Sequence, residues 1–181
     1  SAMVKEGLIE KSGDIENDHI AFRTMGVPNL GINSLEKIFL HFGYQRMAPY
    51  FFPAKKLDAY WYAPPAAHFP RIFISELRVK DLSAEAQAII HSYTDEVTSD
   101  PVDLLNLDDA HAVDAFLHGR LWRTPTLADF QQLAKESEYA AWVIYNRYYL
   151  NHFTVSVHNL RAGYDTIEGF NKKKKKNGFV L

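Results

Sequence analysis

Apolar and polar side chains alternate along residues 18–24, Asp18-His19-Ile20-Ala21-Phe22-Arg23-Thr24. A period of two predicts a strand with His19, Ala21 and Arg23 on one face and Ile20 and Phe22 on the other. Gly26, Pro28 and Gly31 then mark a loop. From Leu35 the period lengthens. Leu35, Ile38, Phe39 and Phe42 make a helical stripe, Asn33 or Ser34 can cap its N-terminus, and Gly43 suits its end. Residues 44–50, 57–62 and 70–79 are rich in Tyr, Phe and Ile, with Pro53, Pro64, Pro65 and Pro70 in the gaps. They predict three more strands. Residues 18–80 thus form a β-α-β-β-β module, and the weakly patterned residues 1–17 are an arm ahead of it.

The period is helical again from Ser83. An amphipathic helix is predicted from Ser83 to Val97, Pro101 interrupts the pattern, and a second helix runs near Asp108 to His118, stopping at Gly119. Thr126 caps a third, long helix, with Asp129 as its partner three residues on. Its apolar stripe comprises Leu127, Phe130, Leu133, Ala134, Tyr139, Trp142 and Val143. Residues 81–150 are therefore a helical insert. Strand alternation resumes at residues 151–158, where His152, Thr154, Ser156 and His158 share one face. The expected fold class is α+β, a single domain in which residues 151–181 begin a second, incomplete module.

The two histidine-bearing strands resemble each other, and so do the segments that come after them. Asp18-His19-Ile20 matches Asn151-His152-Phe153, and Gly31-Ile32-Asn33-Ser34-Leu35-Glu36 matches Gly163-Tyr164-Asp165-Thr166-Ile167-Glu168. Phe42-Gly43-Tyr44 then corresponds to Asn177-Gly178-Phe179. This is a degenerate repeat around the helical insert. Two such modules packed side by side put their first strands into one sheet, where His19 and His152 converge. Two imidazoles at one point are what a divalent metal needs. His158 lies about 20 Å further along its strand and cannot share the ion. His41, His68, His91, His111 and His118 fall on solvated helices or in a proline-rich loop and carry no chemistry in this reading.

Composition narrows the chemistry. The chain has 181 residues, 47% hydrophobic and 23% charged, with a formal net charge of −2. That is a globular composition, and it lacks the basic excess of a nucleic-acid binder. There is no cysteine, which excludes disulfides and thiolate zinc sites and suits a reducing compartment. No apolar run approaches the roughly 18 residues of a membrane span, and Ser1-Ala2-Met3 opens no signal-peptide pattern, so the expected location is cytoplasmic. The run from Lys172 to Lys176 reads as a solvated face. The abundant Tyr and Phe fill a core and offer a few hydroxyls to a pocket.

An open face of two histidines and one carboxylate is the usual site for oxygen-activating Fe(II), although another divalent metal would fit two imidazoles. Glu76 is one candidate for the carboxylate. It is an acid in the otherwise apolar strand Arg71-Ile72-Phe73-Ile74-Ser75-Glu76-Leu77, a costly place unless it is paired or metal-bound. The other candidate is an acid on the matching strand of the second module. Arg23 lies on the face of His19, and a guanidinium beside a metal is suited to a substrate carboxylate. Asp18 and Asn151, each next to a histidine, can orient the rings.

Asp18-His19-Ile20-Ala21-Phe22-Arg23-Thr24, Ser75-Glu76-Leu77 and Asn151-His152-Phe153-Thr154 resemble the 2-oxoadipate dioxygenase/decarboxylase family, whose members have also been labelled hydrolases. The resemblance runs from about Asn17 to Leu181. It implies a fold similar to the vicinal oxygen chelate enzymes. It also implies Fe(II)- and O2-dependent conversion of 2-oxoadipate to 2-hydroxyglutarate and CO2 in lysine catabolism. On this resemblance His19 and His152 are metal ligands, Arg23 binds the substrate carboxylate, and the family's glutamate ligand falls in a later strand, beyond Leu181. The chain is then expected to be an incomplete version of such an enzyme, with a small 2-oxo acid and O2 as partners, and neither nucleic acid nor membrane. Two other readings stand beside it: a metal-dependent hydrolase or lyase, and a non-catalytic fragment of such an enzyme. The oligomeric state is left open.

Overall fold

A computed structural model describes residues 17–156 and 166–176. Strand β1 (Asn17–Met25) leads through a loop into helix α1 (Ile32–His41), followed by β2 (Gln45–Phe52), β3 (Leu57–Ala63) and β4 (Arg71–Leu77). Helices α2 (Ala84–Thr94), α3 (Ala110–His118), α4 (Leu127–Glu136) and α5 (Glu138–Asn146) form the insert, and β5 (His152–Val155) and α6 (Ile167–Lys176) come after it. The protein is α+β, and its described residues begin with the expected β-α-β-β-β order.

The five strands make one sheet in the order β2-β3-β4-β1-β5. β1 runs parallel to β4, with Thr24 opposite Glu76 and Arg23 opposite Ser75. β5 joins the other side of β1 antiparallel, with His152 opposite Ala21 and Thr154 opposite His19. Since paired residues share a face, His19, Ala21, Arg23, Ser75, His152 and Thr154 lie on one side of the sheet. Ile20, Phe22, Thr24, Ile74 and Glu76 lie on the other.

α1 covers the second side. Phe22 meets Phe39 of α1 with ring centroids 5.3 Å apart, and the Tyr62 hydroxyl donates to the buried Glu36 carboxylate at 2.8 Å. Leu35, Ile38, Ile72 and Ile74 are among the buried residues of this layer. The insert packs on the first side through α5, where Ala140, Ala141, Val143 and Ile144 are buried. Tyr148, just past α5, reaches the start of α1, where its hydroxyl oxygen accepts the Gly31 amide at 3.0 Å. Among the described residues no helix is long and apolar enough to cross a membrane.

Three local expectations change. α1 begins at Ile32 with Gly31 as its N-cap and has no capping side chain of its own. Ser34, a candidate cap, instead donates to Asp100 at 2.7 Å. The N-terminus is served from the sheet, by Glu76. At the other end, Gly43 adopts φ 83, a left-handed conformation that closes the helix as expected. The long third helix is two helices. Ser137 leaves the helical region at φ −146 and ψ 104, and its hydroxyl accepts the Ala140 amide, so it ends α4 and caps α5. Among the described residues, the strand expected over residues 151–158 runs from His152 to Val155. His158, Gly163-Tyr164-Asp165 and Asn177-Gly178-Phe179 of the repeat, and the arm ahead of Asn17, lie outside the described residues.

Candidate functional site

Pairing of β1 with β5 brings His19 and His152 together. Their ring centroids are 5.7 Å apart and the rings meet edge to face. Each ring has a polar neighbour. Asp18 lies 2.9 Å from His19 Nδ1, and the Asn151 side-chain amide lies 2.6 Å from His152 Nδ1. With Nδ1–H donating to Asp18, His19 Nε2 carries a lone pair, and Thr154 Oγ1 sits 3.0 Å from it. A carboxylate behind one imidazole nitrogen with the other left as an electron-pair donor is a recurrent arrangement in metal sites. His152 is held below the usual histidine range by burial first, and then by the nearby His19 and Arg23. Neutral imidazole is the form that binds a metal.

Two histidines do not complete a metal site. Among the described residues no group of three or more His, Asp or Glu side chains gathers to hold an ion. The donor chemistry of the pair fits a divalent cation, and among the described residues no third protein donor joins it.

Glu76 is a correction. Opposite Thr24 in the parallel register, it lies on the α1 side of the sheet, away from the histidines. Its Oε2 accepts the Ile32 amide at 2.7 Å, and it does so at the first residue of α1. An anion at a helix N-terminus satisfies one of the unpaired amides and the positive end of the helix dipole. This explains an acid inside an apolar strand without any metal. Burial pushes its carboxyl above the usual range; the Ile32 hydrogen bond opposes this and Asp58 adds to it. Gly31 is required by the same contact: at φ +91, a Cβ there would collide with Glu76 Oε2.

Arg23 lies on the histidine side, where a cavity of about 450 Å³ opens between the sheet and the α4–α5 junction. Arg23, Phe73, Ser75, Tyr139, Asn151 and His152 line it, with Lys55, Lys56, Glu136 and Glu138 also contributing charge. The Arg23 guanidinium lies 5.0 Å from the centroid of Tyr139 and 5.1 Å from that of Trp142. The Tyr139 hydroxyl accepts the Thr24 amide at 3.1 Å and donates to the Ser75 carbonyl at 2.9 Å, with Ser75 Oγ at 2.8 Å. Burial raises the Tyr139 hydroxyl well above the usual tyrosine value, against smaller opposing effects of Ser75, Thr24 and Arg23, so it stays protonated. Sequence pattern assigns Tyr139 and Trp142 to a core stripe. Their three-residue spacing just after the Ser137 break would have pointed to a shared helix face, but not to Arg23.

Of the other described histidines, His41 pairs with Asp108 at 2.8 Å, His91 with Asp95 at 3.1 Å and His118 with Asp114 at 3.4 Å. They remain outside the site.

Residues 2–181 match the family model described as 2-oxoadipate dioxygenase/decarboxylase. A curated rice relative, "2-oxoadipate dioxygenase/decarboxylase, chloroplastic/amyloplastic", is 43% identical over 175 residues, which cover 91% of this chain and 46% of that protein. The chain thus spans about half the length of this relative. A crystal structure of the Oryza sativa hydroxyglutarate synthase in complex with 2-oxoadipate superimposes with a TM-score of 0.83 at 39% identity, covering 98% of this chain and 58% of that one. A glyoxalase superfamily protein from Ralstonia eutropha, 20% identical, shares the fold with a TM-score of 0.72, covering 97% of this chain and 64% of that one. The vicinal-oxygen-chelate-like fold expected from the sequence is therefore the observed one. With a family model matching nearly every residue, this chain belongs to the 2-oxoadipate dioxygenase/decarboxylase family.

Proposed function

We propose that this chain supplies the metal-binding histidines and the substrate arginine of an Fe(II)-dependent dioxygenase/decarboxylase acting on a 2-oxo dicarboxylic acid. The reaction is 2-oxoadipate plus O2 to 2-hydroxyglutarate plus CO2, a balance in which both oxygen atoms enter the products. The observation that carries the reading is the meeting of His19 and His152 on β1 and β5, on the same face as Arg23 and beside one cavity. Family membership and the 2-oxoadipate bound to the rice synthase support the substrate class.

His19 and His152 would hold the metal, and a carboxylate from outside the described cluster would complete the set. When bound, Fe(II) supplies Lewis acidity and the electrons that activate O2. Asp18 keeps the His19 proton on Nδ1 and so leaves Nε2 as the donor atom. Arg23 grips a substrate carboxylate through paired N–H donors. Phe73 and Phe52 give the cavity apolar wall, which limits water around the reacting carbons. The proposed compartment is a reducing one, the cytoplasm, for a chain without cysteine; the plastid label of the rice relative belongs to that protein.

The test is paired O2 consumption and CO2 release with 2-oxoadipate and Fe(II). Equal amounts of the two, both lost in Arg23→Met, are expected. Turnover of 2-oxoadipate without O2 uptake would overturn the reading in favour of a metal-dependent hydrolase or lyase.

A further inference from the structure

Arg23 differs from other arginines that the fold holds in place. Arg46 is paired with Glu36, Arg78 with Asp81 and Arg123 with Glu96. Among the described residues the Arg23 guanidinium has neither a carboxylate partner nor a hydrogen bond, although Arg23 lines the cavity. Two aromatic rings take the place of a counterion. Tyr139 and Trp142, both on α5, lie at nearly equal distances of 5.0 and 5.1 Å from its guanidinium carbon.

We infer that Tyr139 and Trp142 are positioning residues for Arg23, which keep its guanidinium in the cavity with its N–H groups free for an anionic ligand. A carboxylate partner would hold the arginine equally well but would have to be displaced by the ligand carboxylate. An aromatic face attracts the cation through its quadrupole and occupies no N–H donor. The cradle is itself anchored. The Tyr139 hydroxyl takes the Thr24 amide of β1 and donates to the Ser75 carbonyl of β4, tying α5 to the two strands that floor the cavity. Thr24 is the residue directly after Arg23, so the hydroxyl that fixes the ring also fixes the backbone from which the arginine projects. The Ser137 break gives this anchor its position, because it caps α5 two residues before Tyr139.

The inference rests on the proposed role of Arg23 in binding a carboxylate, and its test has two arms. The first needs no ligand: the order parameter and ring-current shift of the Arg23 Nε–H group, by NMR, in the parent, Trp142→Leu, Trp142→Phe and Tyr139→Phe proteins. The group should be ordered and shifted in the parent, loosened in Trp142→Leu, largely restored in Trp142→Phe, and less ordered in Tyr139→Phe. The second arm is calorimetric titration of the Co(II)-loaded protein with 2-oxoadipate. Its dissociation constant should rise roughly 5- to 30-fold in Trp142→Leu, with Trp142→Phe close to the parent and Co(II) affinity unchanged in all. An Arg23 group as ordered in Trp142→Leu as in the parent would overturn the inference, as would a parallel fall in Co(II) affinity. A parent that takes up no 2-oxoadipate would sink the dioxygenase reading instead, and the NMR arm would then decide the positioning role alone.

Discussion

Replacing Glu76 separates two roles that its place in the chain allows, metal ligand and helix cap. In Glu76→Ala the Ile32 amide loses the oxygen 2.7 Å away, and α1 loses the anion at its N-terminus. A lost cap or a lost hydrogen bond to a charged group each costs on the order of 1–3 kcal/mol. The deletion also removes a carboxylate that burial disfavours, which offsets part of the loss. A net destabilisation of about 1–2 kcal/mol is expected, or roughly 2–8 °C in melting temperature for a chain of this size. Glu76→Gln keeps an oxygen acceptor in the same place and should stay within about 1 kcal/mol of the parent, since a neutral acceptor retains the typical net value of a hydrogen bond. Urea unfolding measures both differences, and Co(II) titration of the same variants should show unchanged affinity. Loss of Co(II) binding in Glu76→Gln, as complete as in a histidine variant, would refute the capping role. So would a Glu76→Ala protein as stable as the parent.

The same carboxyl makes stability depend on pH. Its pKa in the folded state lies above its ordinary value of 4.5, so the native protein binds that proton more tightly than the unfolded chain does. Its contribution is fully present below the ordinary value and is lost as pH rises through the folded one. Relative to Glu76→Gln, the parent's urea midpoint should therefore fall as pH rises above 4.5, and a constant difference would contradict the assignment. Asp18→Asn should weaken Co(II) binding about 10- to 100-fold with little effect on the melting temperature, as expected when the group orienting a ligand histidine is changed. Tyr62→Phe removes the donor 2.8 Å from the buried Glu36 carboxylate and should cost about 1–3 kcal/mol in urea unfolding with Co(II) binding unchanged.

Much of the site was legible because strand alternation fixes faces within one strand. The pattern of residues 18–24 put His19 and Arg23 on one side, and the repeat singled out His152 as the partner of His19. Glu76 was misplaced for a reason of the same kind. Alternation within β4 groups it with Ile72 and Ile74, but which face that is relative to His19 depends on the register with β1. No local pattern carries that register. The role of Tyr139 and Trp142 was hidden likewise, because an aromatic stripe on a helix looks the same whether it packs on leucine or on a guanidinium. The Ser137 break was legible in principle: Ser137 caps α5 through the Ala140 amide, but the apolar stripe runs on across it and suggests one long helix.

Whether His19 and His152 hold one metal between them is decided by anaerobic titration of the protein with Co(II), followed through its d–d absorption. One-to-one binding is expected in the parent, lost in both His19→Ala and His152→Ala while both variants keep the parent's fold by circular dichroism. Binding that survives either substitution unchanged would contradict the shared site.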